Sequence, residues 1–370
     1  MKVLVTGGAG FIGSHTVDLL LKKGYEVRVY DSLEPPVHPR RGKPAYVPDE
    51  VEFISGDICD SSKLGKALQG IDVVFHFAAY QDYLPDFSKF AFINDGGTAL
   101  LYELIVNHHL PVQKVILASS QAVYGEGKYE CSNHGGQYPS LRPLAQLMNR
   151  DWEIRCPICQ QSMKPVATDE SQTNPHNQYA VSKCAQELYA LILGKRYDIP
   201  TVAMRYTIIQ GPRQSFFNAY SGILRIFSVC LLHDLPLPIY EDGQQLREYV
   251  YVGDAARANV LVMEKEEANY QVFNVGGSRA FSVLEYARIL LDLMGKDIEL
   301  NLSGEFRFGD TRHIISDMSK LQKLGWEPTT SVKQIVREYL DWIQTQPEIS
   351  NHYAQAAEKM KQMGIIRKAT

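Results

Sequence analysis

The stretch VTGGAGFIGSH, residues 5–15, decides how the chain folds. It leaves a Val-rich run, KVLVTG (2–7), and opens a helical pattern, HTVDLLLKKG (15–24), that ends on a glycine. Gly7, Gly10 and Gly13 have GxxGxxG spacing, with Phe11 and Ile12 between the last two. Glycine there permits a tight turn, lets backbone approach a pyrophosphate, and lets helix and strand pack closely. The helix N-terminus then faces the anion. Asp31 ends the next β-rich run, EVRVYD (26–31), where a carboxylate can accept both ribose hydroxyls and would repel a 2′-phosphate. The pattern therefore points to NAD rather than NADP. Asp57 in GDICD, followed by Ile58, is placed to reach the adenine; the plainer alternative for Asp57 is a turn residue.

Outward from the turn, VEFISGD (51–57), DVVFHFA (72–78), KVILASS (114–120) and TVAMRY (201–206) read as further strands. They are nearly continuous apolar runs, as expected of a parallel sheet buried on both faces. Helical patterns such as GTALLYELIVNHH (97–109) fall between them, and the alternation predicts a doubly wound α/β domain over 1–206. A long insertion, 126–170, interrupts the rhythm and carries three of the six cysteines. A smaller α/β substrate-binding domain is expected over 207–345, its chain partly returning to the first, with a helical C-terminal extension over 346–370.

Composition narrows the classes. A net charge of -4 argues against nucleic acid as partner. No apolar run reaches the ~20 residues of a membrane span, since Arg225 interrupts the best candidate, GILRIFSVCLL. MKVLVTGG enters the strand pattern at once, without a signal-peptide cleavage site, which points to the cytoplasm and to reduced or metal-bound cysteines.

NQYAVSKCAQE (177–187) places Tyr179 and Lys183 four residues apart, on one face of a helix. A free phenol, with a pKa near ~10, is a poor base at neutral pH. A neighbouring ammonium and a positive nicotinamide favour the phenolate. Ser120, ending the fifth strand, can bond and orient the same substrate hydroxyl. Ser120, Tyr179 and Lys183 are the expected catalytic set. YxxxK alone occurs in many helices by chance; the glycine turn and the serine give it meaning.

In the same insertion, GKYECSNHGGQ (127–137) and WEIRCPICQQ (152–161) give Cys131-x2-His134 and Cys156-x2-Cys159. Two such hooks roughly twenty residues apart have the spacing of a structural zinc knuckle. The alternative is four unrelated side chains in a loop.

The chain resembles the extended short-chain dehydrogenases/reductases, in their nucleotide-sugar epimerase/dehydratase branch. TGGAGFIGSH, HFAA (76–79), NDGGT (94–98), SSQAVYGE (119–126), YAVSK (179–183), GPRQ (211–214), GQQLREYVYVGD (243–254), FNVGG (273–277) and RFGDTRH (307–313) match in order. The resemblance implies a Rossmann domain, a second domain closing over a nucleoside-diphosphate sugar, and a homodimer joined by a helix bundle. It adds Ala78 and Asn94 to the cofactor residues, Asn94 supporting the structure near the nicotinamide half; the equal alternative for Asn94 is a core polar role. It assigns Arg247, Arg307, Asn218 and Gln245 to the sugar nucleotide; guanidinium forks match phosphate oxygens.

The same resemblance decides between reactions. Related 4,6-dehydratases carry Asp-Glu after the catalytic hydroxyl, and decarboxylases a Glu in the second position. Here Gln121 and Ala122 stand there, and neither shuttles a proton. Hydride chemistry at one carbon remains, as in 4-epimerases. A 4-ketosugar reductase with the same triad, or a cofactor-occupied binding module without catalysis, are the rivals. The insertion and the stretches NAYSGILRIFS and PLPIYEDGQQLREYV resemble dTDP-L-rhamnose 4-epimerases, with UDP-hexose 4-epimerases next. One departure stands out: relatives read Arg-Tyr-Phe-Asn after the sixth strand, with the Asn on the diphosphate, whereas this chain has Thr207 and Ile208 in place of Phe-Asn.

Overall fold

The structure is a computed structural model that describes residues 1–82, 84–217, 222–347, 349–351 and 353–370. Seven parallel strands form the central sheet: β1 (Lys2–Thr6), β2 (Glu26–Asp31), β3 (Glu52–Ser55), β4 (Val73–His76), β5 (Lys114–Ser120), β6 (Thr201–Tyr206) and β7 (Gln271–Val275). Their order is β7-β6-β5-β4-β1-β2-β3. The order reverses between β1 and β4, and such a switch point leaves a crevice at the C-terminal strand ends where ligands bind.

Six of the strands coincide with those expected from the sequence, apart from one or two residues trimmed at some ends. Their near-continuous burial comes from apolar clusters on both faces. Val3, Val5, Val29, Phe75 and Ile116 belong to one; Leu4, Val74, Val115 and Leu117 belong to the other. The glycine-turn helix runs Phe11–Lys22, starting four residues earlier than its apolar pattern suggested because the glycine turn itself feeds it. Helix Val252–Glu264 packs on that first helix, and β7 completes the sheet. Asn259 fixes the packing, donating to Thr16 Oγ1 at 3.1 Å.

The second region is built on Ile208–Gln210, Leu246–Tyr251 and Ala280–Ser282, hydrogen-bonded in that order, with its own apolar cluster around Phe227, Tyr249, Tyr286 and Tyr339. The insertion forms a small sheet, Tyr129–Cys131 flanked by Gly135–Gln137 and Lys164–Pro165. The C-terminal extension is helical only over Tyr353–Gln362. Its last residues, Ile366–Lys368, form a strand antiparallel to Glu305–Arg307. Ile366 is buried by that pairing.

Candidate active site

The crevice at the sheet's switch point is a cleft of about 710 Å³, lined from Gly7 and Asp31 at one end to Arg247, Arg307 and Tyr353 at the other. Its floor is the glycine turn. Gly7 has φ +67, and a Cβ there would lie 2.8 Å from Ala78 N. A Cβ at Gly13 would lie 2.2 Å from Gly7 O, so helix and turn approach only because both are glycine. Phe11, Ile12, Asp57, Ile58 and Ala78 also line the cleft. Asp31 is buried at the end of β2, where Ala9 N donates to its Oδ2 at 3.0 Å and Leu33 N to its Oδ1 at 2.9 Å. His38 Nε2 lies 3.9 Å from Asp31 Oδ1, a neighbour the sequence did not reveal. The glycine cradle beside a fixed carboxylate fits the adenosine diphosphate half of NAD.

Asn94 stands apart from the other cofactor candidates. It is absent from the cleft lining because its amide is consumed inside: Nδ2 donates to Tyr80 O and Ser182 Oγ, and Oδ1 accepts from Tyr80 N. It ties the loop after β4 to the helix of Tyr179, which is the core polar role rather than a contact near the nicotinamide.

Tyr179 and Lys183 lie one turn apart on helix Gln178–Arg196, capped by Asn177 accepting from Ala180 N. Ser120 ends β5 against them; its Oγ accepts from Ala122 N at 3.1 Å, and its hydroxyl favours the Tyr179 phenolate. Lys183 Nζ donates to Ala118 O at 2.9 Å and lies 5.9 Å from the centre of the Tyr179 ring. The helix is pinned to β5 and β6 by buried Glu187, which pairs with Arg205 and accepts from Ser119 Oγ. Burial raises the Tyr179 phenol to about 12, although the Ser120 hydroxyl lowers it. Burial likewise lowers the Lys183 ammonium to about 7, against the raising influence of Asp95. Burial in the protein alone thus favours the neutral phenol and works against the charge on Lys183.

On the opposite wall, Arg247 is held by three carbonyls, donating to Leu246 O, Arg312 O and Thr311 O at 2.9, 3.0 and 2.6 Å. Arg307 lies over the Tyr240 ring at 4.9 Å. Gln245 Nε2 donates to Tyr240 O, leaving its Oε1 without a partner among the described residues. Gln121, Ala122, Thr207 and Ile208 line the middle of the cleft. The Oε1 of Gln121 and the Oγ1 of Thr207 are buried without partners among the described residues. Asn218 lies outside the described residues. Cys131, His134, Cys156 and Cys159 do come together: their ligand atoms all lie within 4.8 Å of one another.

Residues 3–145 and 159–276 match the NAD dependent epimerase/dehydratase family. The chain belongs to that family. It is 32% identical to the dTDP-L-rhamnose 4-epimerase of Burkholderia thailandensis over 92% of this chain and 94% of the relative. Among solved structures it is similar to the UDP-glucose 4-epimerase of Thermotoga maritima with UDP-glucose (TM-score 0.77, 29% identity, 94% of this chain and 100% of that one). A UDP-glucuronic acid 4-epimerase from Bacillus cereus in complex with NAD is comparable (TM-score 0.75, 28% identity, 94% of this chain and 100% of that one).

Two features of this epimerase/dehydratase chain escaped its sequence. Arg142 grips Glu241 through two bonds of 3.0 and 2.8 Å, while Arg312 reaches Glu241, Asp242 and Glu153. This buried network ties the insertion to the cleft wall, and Glu241 lines the cleft. Tyr353, from the C-terminal extension, also reaches the cleft and bonds the Tyr240 hydroxyl at 2.8 Å.

Proposed function

We propose that this chain is an NAD-dependent nucleotide-sugar 4-epimerase, inverting C4 of a nucleoside-diphosphate sugar through a transient 4-keto sugar. One observation carries the reading: Tyr179 and Ser120 meet at the cleft while the two positions after Ser120 hold Gln121 and Ala122, so a single base serves the site. Gly7, Gly10, Gly13 and Asp31 would hold the dinucleotide, and Lys183 its nicotinamide ribose end beside Tyr179. When bound, NAD would supply a positive nicotinamide that favours the phenolate and a carbon that takes the C4 hydride and gives it back. Tyr179 Oη accepts the proton of the C4 hydroxyl and later returns it to the oxyanion of the inverted alcohol. Ser120 Oγ orients that oxygen, and Lys183 steadies the phenolate. Arg247 and Arg307 hold the diphosphate, which leaves the sugar free to present either face.

For the substrate we favour dTDP-L-rhamnose, on the similarity to the Burkholderia enzyme; UDP-hexoses are the second choice. Thr207 offers a hydroxyl without a partner among the described residues, which Ile208 cannot, and so supports a diphosphate contact shifted by one residue. A homodimer is supported by Val181, Leu188 and Ile192, each more than half exposed along one side of the Tyr179 helix. A cytoplasmic setting suits six cysteines, none of them in a disulfide.

The test is incubation with dTDP- and UDP-sugars without added cofactor, followed by NMR of the C4 configuration. Inversion in the parent and its loss in Tyr179→Phe support the reading. Activity that survives Tyr179→Phe removes the proposed base, and stoichiometric consumption of added NADH would make the protein a reductase.

A further inference from the structure

The four ligand atoms of the insertion lie within 4.8 Å of one another. His134 Nδ1 lies 3.6 Å from both Cys131 Sγ and Cys156 Sγ, and Cys131 Sγ lies 3.7 Å from Cys159 Sγ. Tetrahedral zinc with Zn–S near ~2.3 Å and Zn–N near ~2.0–2.1 Å requires N···S edges of about 3.6 Å and S···S edges of about 3.8 Å. A disulfide would bring two sulfurs to about 2.05 Å and leave a thiol and an imidazole stranded. The second hook is a tight turn: Gln160 N donates to Cys156 O at 2.9 Å and Cys156 N to Gln161 O at 2.8 Å. The stretch 146–158, which contains Cys156, falls between the two segments that match the family.

The apolar core around the hooks is small. Its buried cluster is Tyr129, Cys131, Ile154, Cys156 and Met163, so two of five members are the proposed ligands. Small units of this kind are held together by a metal when burial is insufficient.

The hooks also hold the substrate wall. Tyr129, two residues before Cys131, bonds both the N and the O of His313 through its hydroxyl, at 3.2 and 3.4 Å. Glu153, three residues before Cys156, accepts from Arg312 at 2.6 Å and from His313 Nε2 at 3.2 Å. His313 Nδ1 in turn accepts from Leu246 N, and the carbonyls of Thr311 and Arg312 hold the Arg247 guanidinium.

We propose that Cys131, His134, Cys156 and Cys159 bind one zinc ion, and that this metal is a positioning element: it fixes Tyr129 and Glu153, and through residues 311–313 the guanidinium of Arg247. The second half rests on the nucleotide-sugar reading above; the metal site does not.

The experiment is elemental analysis of protein purified without chelator, with replacement by Co²⁺ in the stripped parent chain. The expected result is about one zinc per chain, and tetrahedral thiolate-bound cobalt with visible d–d bands and sulfur-to-cobalt charge transfer. Cys156→Ser should lose the metal. If that variant does not fold, the cobalt spectrum of the parent chain still decides. Metal-free protein that takes up no cobalt, or a Cys131–Cys159 disulfide in freshly purified protein, overturns the site. For the positioning role, mild chelation should raise KM for the nucleotide sugar roughly tenfold or more, while kcat and bound NAD change little. An unchanged KM after proven metal loss overturns that role and leaves the metal site standing. If no nucleotide sugar is turned over, the metal analysis still reads out, so failure of the functional reading is told apart from failure of the site.

Discussion

Lys183 offers a direct measure of the cleft's electrostatics. The side chain is 3% exposed, and burial lowers its pKa to about 7 from the ordinary lysine value. Unfolding restores the ordinary value, so between about pH 7 and about pH 10.5 the unfolded chain holds a proton that the folded chain has shed. Stability from this group is therefore lowest below that window and rises as pH climbs through it. One proton contributes a slope of about 1.4 kcal/mol per pH unit, or about 2–3 kcal/mol between about pH 7.5 and about pH 9.5. Lys183→Met has nothing to titrate there and loses only the bond to Ala118 O, worth about 1 kcal/mol. Urea unfolding of the cofactor-stripped parent and variant at those two pH values should show the parent gaining that difference. Lys114 and the other titrating groups are common to both proteins and cancel. Equal pH dependence in the two proteins would refute the claim that Lys183 is held near neutrality by burial.

Replacing Arg247 with Met should raise KM for a nucleotide sugar about 10- to 100-fold with kcat little changed, since a hydrogen bond to a charged group is worth about 1.5–3 kcal/mol; steady-state kinetics checks it. Deleting 351–370 removes Tyr353 and the strand paired with Glu305–Arg307, and should raise KM by roughly 10- to 100-fold while the purified protein keeps its NAD; an unchanged KM would mean the extension only covers the core. Leu188→Glu combined with Ile192→Glu should convert the proposed homodimer to monomers in light scattering, because the pair charges an exposed apolar stripe.

What could be read from the sequence was local. The glycine turn, the six strands and the Tyr179–Lys183 spacing each announce themselves within a dozen residues, because sterics and periodicity act at that range. The cysteine hooks were legible for the same reason, as two short spacings that only needed to meet. The role of Asn94 stayed open between cofactor support and core because its motif does not say which way an amide points; here both ends are claimed by Tyr80 and Ser182. The Arg142–Glu241 and Tyr240–Tyr353 pairs join residues 99 and 113 positions apart and follow no period, so only the fold reveals them. The terminal strand was hidden by its helical neighbour, since three residues acquire strand character only from the edge they pair with. The shift of Tyr179 toward neutrality was invisible too, because burial acts through the whole tertiary surround rather than through Lys183 alone.

The central claim is that one carbon is oxidised and reduced within a single closed cleft, with Tyr179 moving the proton. It is tested most directly by turning over a nucleotide sugar deuterated at C4, without added cofactor, and locating the label by NMR and mass spectrometry. Retention of the deuterium at C4 of the inverted product is the expected result. Loss of the label to solvent or to free NADH would contradict the account.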